Sequence, residues 1–195
     1  MCNGYLLRGN KGYIAIDAPL GFTAWVRQHL PEGERVTDLL ITHQHFDHVQ
    51  DAAELAKAYG CCIHACKPYS PELTLETLAR GSGWGINVPP FTVDDAFGTT
   101  ATEREWGGLR WTLHHIPGHS PDGMAYELPE AEQVFCGDIL FAGSVGRTDF
   151  PGGSMSQLVR GIREKLLTRP HTTTIHSGHG PNTTLAEEQL NNPYL

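Results

Sequence analysis

Leu39-Leu40-Ile41-Thr42-His43-Gln44-His45-Phe46-Asp47-His48 sets three apolar residues directly before an HxHxDH run, and that junction decides how the chain folds. The apolar triplet reads as a short, fully buried strand, so the chain leaves its sheet extended, with residues two apart pointing the same way. His43 and His45 therefore face one point. Asp47 and His48 follow at the turn into a helix and are aimed at a second point close by. Burying four such donors within six residues is costly unless a cation occupies the space between them. The competing reading is a polar loop with incidental histidines.

Three further donors weigh against that competitor: His119 in Pro117-Gly118-His119-Ser120, Asp138 in Gly137-Asp138, and His179 in Gly178-His179-Gly180. Each follows a run expected to be a strand, respectively Leu109 to Leu113, Val134 to Cys136 and Thr173 to Ile175. Loops at strand ends are where a rigid sheet presents ligands. Five histidines and two aspartates suit two divalent metal ions that share one bridging carboxylate. Zinc is the first expectation; iron and manganese suit the same imidazole and carboxylate donors.

The order HxHxDH, PGHS, GD and GHG is similar to that of the metallo-β-lactamase superfamily over nearly the whole chain. Within it, Gly137-Asp138-Ile139-Leu140-Phe141, Gly146-Arg147-Thr148-Asp149-Phe150, Gly178-His179-Gly180-Pro181 and the ending Glu187-Glu188 to Asn192-Pro193-Tyr194 resemble the glyoxalase II-like (hydroxyacylglutathione hydrolase-like) metallohydrolases. Residue by residue, the resemblance implies that His43, His45 and His119 hold a first metal. Asp47, His48 and His179 would hold a second, with Asp138 bridging. It also implies a four-layered αβ/βα sandwich, where hydropathy pattern alone says only mixed α and β.

The chemistry expected of such a site is hydrolysis of a thioester or similar activated acyl substrate by a hydroxide bridging the two metals. Asp47 is the candidate proton acceptor, and Asp138 keeps the metals together. A thiolate departs without a dedicated proton donor, whereas a lactam amine needs one, and no residue stands out as that acid. Arg147 reads either as the basic, substrate-facing residue that relatives place there or as the ion-pair partner of Asp149.

Two departures from hydroxyacylglutathione hydrolases stand out. Those enzymes follow the last metal histidine with a helical stretch that grips glutathione, whereas Thr184-Leu185-Ala186-Glu187 follows His179 here after only four residues. The glutathione grip is therefore expected to be missing. The chain also begins at what looks like the second strand of the usual sheet, and Asp122 stands where glycine is common. Two other classes remain open: a mononuclear iron persulfide dioxygenase, which 146–150 also resembles, and a non-enzymatic metal-binding protein of the same fold. Gly178-His179-Gly180, in its hydrolase form, stands against the former, and the complete donor set against the latter.

Composition narrows the partners. The 195 residues carry a net charge of -8 and a pI of about 5.7 without any Lys/Arg cluster, which disfavours nucleic acid. Met1 to Asp17 lacks a signal-peptide core and no segment approaches a membrane span, so a cytoplasmic protein acting on a small molecule is expected, as one domain over 1–195. Oligomeric state stays open. Cys61, Cys62 and Cys66 crowd one expected strand; reduced thiols are favoured over a metal site, because the second half of a zinc-type spacing is lacking. His29, His64, His171 and His176 are read as structural, and one of His114 and His115 as a support for the loop carrying His119.

Expected elements alternate. A hairpin joins Tyr5 to Leu7 with Tyr13 to Ile16, a helix runs from Phe22 to Leu30, and Asp51 with Glu54 caps a helix that ends at Gly60. Cys62 to Ala65 reads as a strand, Glu72 to Arg80 as a helix and 81–90 as a loop. Strands follow near Thr100 to Glu105, Leu109 to His115, Met124 to Leu128 and Val134 to Cys136. Ser154 with Gln157 and Thr184 with Glu187 form two further helix-capping pairs, the first opening a helix with Leu158, Ile162 and Leu166 on one face.

Overall fold

The computed structural model describes residues 1–79 and 86–195. The chain divides into two compact units, residues 1–98 with 105–109 and residues 99–104 with 110–195.

The first unit is built on a five-stranded sheet. Strands β1 (Tyr5–Arg8) and β2 (Tyr13–Ile16) form the expected antiparallel hairpin, and β3 (Val36–Leu40), β4 (Cys62–Ala65) and β5 (Asp95–Ala96) add to β2 in order, each parallel to its neighbour. Parallel neighbours need crossovers, and helices supply them: α1 (Phe22–His29) before β3, α2 (Phe46–Val49) and α3 (Ala52–Tyr59) before β4, and α4 (Glu76–Ala79) before β5. Phe22 and Val26 of α1 and Ala52 and Leu55 of α3 pack on Ala15, Leu39 and Ile63. Strand alternation sends Ile14, Ile16 and Leu40 to the other face, and these too are completely buried.

Two local expectations change here. Asp51 does precede α3, but its side chain makes no cap; Oδ2 accepts instead from the Thr23 amide at 2.9 Å and ties α1 to α3. Tertiary competition for the carboxylate wins over the local cap. The helix expected from Glu72 begins only at Glu76, while Arg80 and residues 81–85 of the expected loop lie outside the described residues. Gly60 ends α3 in the left-handed region at φ 64°, as the sequence predicts.

A six-stranded sheet, most of whose residues belong to the second unit, has the order β13-β12-β9-β8-β7-β6, where β6 is Glu103–Trp106, β7 Leu109–His115, β8 Met124–Leu128, β9 Gln133–Gly137, β12 Thr174–Ser177 and β13 Thr183–Thr184. A small hairpin of β10 (Leu140–Phe141) and β11 (Ser144–Val145) forms a separate two-stranded sheet, with the Ser177 hydroxyl of β12 donating to the Leu140 carbonyl at 2.8 Å. Helix α5 (Met155–Gly161) opens with the Ser154 hydroxyl accepting from the Gln157 amide at 3.4 Å, and α6 (Leu185–Asn191) with Thr184 accepting from Glu187 at 3.3 Å. Both capping pairs are therefore present.

After α5 the helix widens into a π turn over Ile162–Leu166. Steps of four residues overrun an α-helical turn by about 40° each. The wider turn takes up that overrun, which keeps Leu158, Ile162 and Leu166 on one completely buried face against Ile116, Val134 and Ile175. Among the described residues, no helix is long and apolar enough to cross a membrane.

Candidate metal centre

The first unit presents four of the expected donors just beyond β3. The chain runs extended through His43 and His45, and their rings lie 4.5 Å apart between centroids, with the His48 ring 4.0 Å from that of His43. Gln44 points the opposite way and is completely buried. Its amide donates to the carbonyls of Lys67 and Pro68 at 3.0 and 3.1 Å and accepts from the Ser70 amide at 3.2 Å, which pins the loop from behind. Asp47 and His48 sit in α2, the aspartate partly exposed and the histidine completely buried.

Asp17, which the motif reading does not reach, organises this half. It follows β2 directly, and the parallel register that sets Ile16 beside Leu40 brings it to Thr42. Its Oδ1 accepts from the Thr42 amide at 2.8 Å, and Oδ2 accepts from the Thr42 hydroxyl at 2.7 Å and from His48 Nδ1 at 2.8 Å. These bonds fix the tautomers. A carboxylate only accepts, so the neutral His48 ring carries its proton on Nδ1 and its lone pair on Nε2. The Thr42 hydroxyl spends its proton on Asp17, so at 3.2 Å it accepts from His43 Nδ1, and His43 Nε2 is a lone pair as well. The sequence signal was available: a carboxylate closing the apolar run Ile14-Ala15-Ile16.

In the second unit the three other donors follow their strands as expected. Asp138 comes straight after β9, His179 two residues after β12 and His119 four residues after β7. Asp138 Oδ2 lies 3.6 Å from His119 Nε2 and 3.5 Å from His179 Nε2. These separations are long for hydrogen bonds. Two donors each about 2.1 Å from one tetrahedral ion stand about 3.4 Å apart, which is close to what is seen. His119 Nδ1 lies 2.8 Å from the Arg147 carbonyl, which can only accept, so His119 Nε2 is again the lone pair. Nitrogen lone pairs and a carboxylate oxygen are donors that suit a divalent metal.

Glycines make room for this half. Gly118 has φ 135°, and a Cβ there would stand 2.6 Å from the Ser154 carbonyl and from the Leu158 backbone. At Gly146 a Cβ would run into the Asp138 carbonyl. Asp122 also finds its role: its carboxylate, buried, takes a short hydrogen bond from Ser120, while His115 Nε2 donates to the Pro121 carbonyl at 3.1 Å. Both brace the loop that carries His119.

Arg147 lies in an exposed, two-pronged ion pair, with Nε and Nη2 each 2.6 Å from Asp149, and stacks over the Phe150 ring at 4.3 Å. The hydrogen bonds from Arg147 hold the Asp149 carboxyl down to about 2. The remaining histidines have structural surroundings: His114 meets Glu127 at 2.7 Å, His64 meets Asp38 at 2.9 Å, and His176 stacks on Phe135, where burial lowers its pKa.

Cys61, Cys62 and Cys66 form no disulfide and take part in no metal-type grouping among the described residues; burial pushes Cys61 up to about 12. Cys2 is different. It lies beside His48 and Asp47, and burial pushes its thiol up to about 11 against the pull of His48.

The sequence pattern described as the metallo-beta-lactamase superfamily matches residues 1–179. The chain belongs to that superfamily. Hydroxyacylglutathione hydrolase GloC of Haemophilus influenzae is 34% identical over 158 residues, covering 80% of this chain and 74% of GloC. The crystal structure of BLEG-1 B3 metallo-beta-lactamase matches with a TM-score of 0.86 at 28% identity, covering 100% of this chain and 94% of that one. TTHA1623 in a di-iron-bound form matches with a TM-score of 0.84 at 34% identity, covering 100% and 96%. The fold is thus of the metallo-β-lactamase type, and the superfamily consists mostly of metal-dependent hydrolases.

Proposed function

We propose that His43, His45 and His119 hold one divalent ion and Asp47, His48 and His179 a second, bridged by Asp138, within a single domain that hydrolyses a thioester or similarly activated acyl substrate. The observation that carries this reading is Asp138 Oδ2, which stands 3.6 and 3.5 Å from one imidazole of each ligand set. These residues would hold two divalent ions, whose chemistry when bound would be to acidify a water and polarise the acyl carbonyl. Asp47, partly exposed at the start of α2, would serve as the proton acceptor for that chemistry. Asp17 keeps His43 and His48 in the tautomers that bind. A thiolate leaves without an acid to protonate it, which suits a sequence in which no residue stands out as that acid. The 34% identity to a hydroxyacylglutathione hydrolase supports a thioester, and the di-iron form of a structural relative supports iron beside zinc as the metal.

The test joins metal analysis to a panel holding a glutathione thioester, a thioester of a smaller thiol, and glutathione persulfide. Two ions per chain with thioester hydrolysis is the expected result. Because only four residues separate His179 from Thr184, the two thioesters should differ little in kcat/KM. One iron per chain with oxygen uptake on the persulfide would replace the hydrolase by a dioxygenase, and a silent panel would point to a non-enzymatic protein.

Arg147 is proposed to exchange Asp149 for an acidic group of the substrate. The pair is solvent-exposed and screened, so exchange is easy. Arg147→Ala should lower kcat/KM about tenfold for an anionic thioester and leave a neutral one nearly unchanged. With Asp149 ionised down to about 2, this difference should be constant through neutral pH. Equal losses on both substrates would return Arg147 to a purely structural role.

A further inference from the structure

We propose that the Cys2 thiol is a ligand of the ion held by Asp47 and His48, so that this position carries sulfur as well as nitrogen and oxygen. The proposal rests on the dinuclear reading above. Cys2 precedes β1, whose antiparallel register sets Tyr5 opposite Ile16, so the chain before Tyr5 runs beside the chain after Ile16, where Asp17 holds His48. The ligand atoms of Cys2, Asp47 and His48 all lie within 4.8 Å of one another. Packing fixes this segment in place: a Cβ at Gly4 would stand 2.7 Å from the Phe22 ring and 2.9 Å from Pro19. None of the other cysteines joins such a group among the described residues.

The thiol carries its proton here, with its sulfur 3.5 Å from the Asn3 carbonyl and hydrogen-bonded to the His48 side chain. As the sulfur–metal bond forms, that proton passes to solvent, and the thiolate adds one negative charge to the site. Sulfur is a soft ligand, so the position gains affinity for zinc and iron relative to manganese. It also places an oxidisable group beside the reacting centre.

Cobalt(II)-loaded protein tests this, because a thiolate bound to cobalt gives an intense near-ultraviolet charge-transfer band that imidazole and carboxylate do not. The band should be present at two cobalt ions per chain, vanish in Cys2→Ser and persist in Cys62→Ser. Retention of the second ion should weaken about tenfold or more in Cys2→Ser. Two bound ions without the band, or a band surviving Cys2→Ser, would overturn the Cys2 ligand and leave the dinuclear reading standing. Saturation at one ion would overturn the dinuclear reading. Should Cys2→Ser fail to fold, X-ray absorption of the zinc-loaded parent decides: a sulfur shell at about 2.3 Å is expected, and its absence refutes the proposal.

Discussion

Asp138→Ala should lose both metals together, so that metal analysis falls from two ions per chain to well below one, and thioester hydrolysis falls with it. The loss should exceed the roughly 100-fold upper end seen when a residue that merely orients a metal ligand is removed. The reason lies in the placement of one oxygen: Oδ2 stands 3.6 Å from His119 Nε2 and 3.5 Å from His179 Nε2. In the proposed scheme, removing the carboxylate would strip a shared donor and a negative charge from between two cations, which would then repel one another. Asp138 is nearly buried at 9% exposure, so bulk water cannot fully replace what it screens. A variant that kept one tightly bound ion and half its rate would show that Asp138 serves a single site.

Asp17→Asn should cost about 10- to 100-fold in metal affinity, although Asp17 touches no metal in the proposed scheme. The substitution preserves shape, and asparagine tolerates the left-handed conformation that Asp17 adopts at φ 56°, so backbone strain is not the cause of any loss. What changes is the number of acceptors. Asp17 takes bonds from the Thr42 amide, the Thr42 hydroxyl and His48 Nδ1, whereas an amide offers one oxygen and turns its own N–H donors toward one of them. A Thr42 hydroxyl released in this way is able to donate to His43 Nδ1, which would move the His43 proton to Nε2, the atom needed for the metal. Chelator competition for zinc, read beside thermal unfolding of the metal-free protein, separates this from simple instability. Unchanged affinity with a lowered Tm would reduce Asp17 to a core residue.

The local sequence carried the donors well, because the rules that place them are short-range. Residues two apart in an extended chain share a face, which suffices to set His43 with His45 and to turn Gln44 away. An apolar run ending in glycine and a polar donor is enough to put Asp138 and His179 at strand ends. Capping at Ser154 and Thr184 depends on three residues of spacing and is equally legible. The superfamily followed from the order of these motifs, and the fold with it.

The partners of those donors were decided elsewhere. Asp17 meets His48 across 31 positions of sequence, through the register of β2 on β3, and no local pattern encodes a register. The Asp51 carboxylate had a cap available three residues away and took the Thr23 amide instead, because packing α1 beside α3 offered a buried donor. Arg147 had two readings in sequence, and the fold set it against Asp149 and Phe150. Cys2 had no reading at all until the hairpin carried it to His48 and Asp47. Sequence alone determined which atoms can bind a metal, since side-chain chemistry and strand direction are properties of a few consecutive residues. Tertiary structure alone decided which protons those atoms carry and what stands beside them, since hydrogen-bond partners are chosen among groups that only folding makes neighbours.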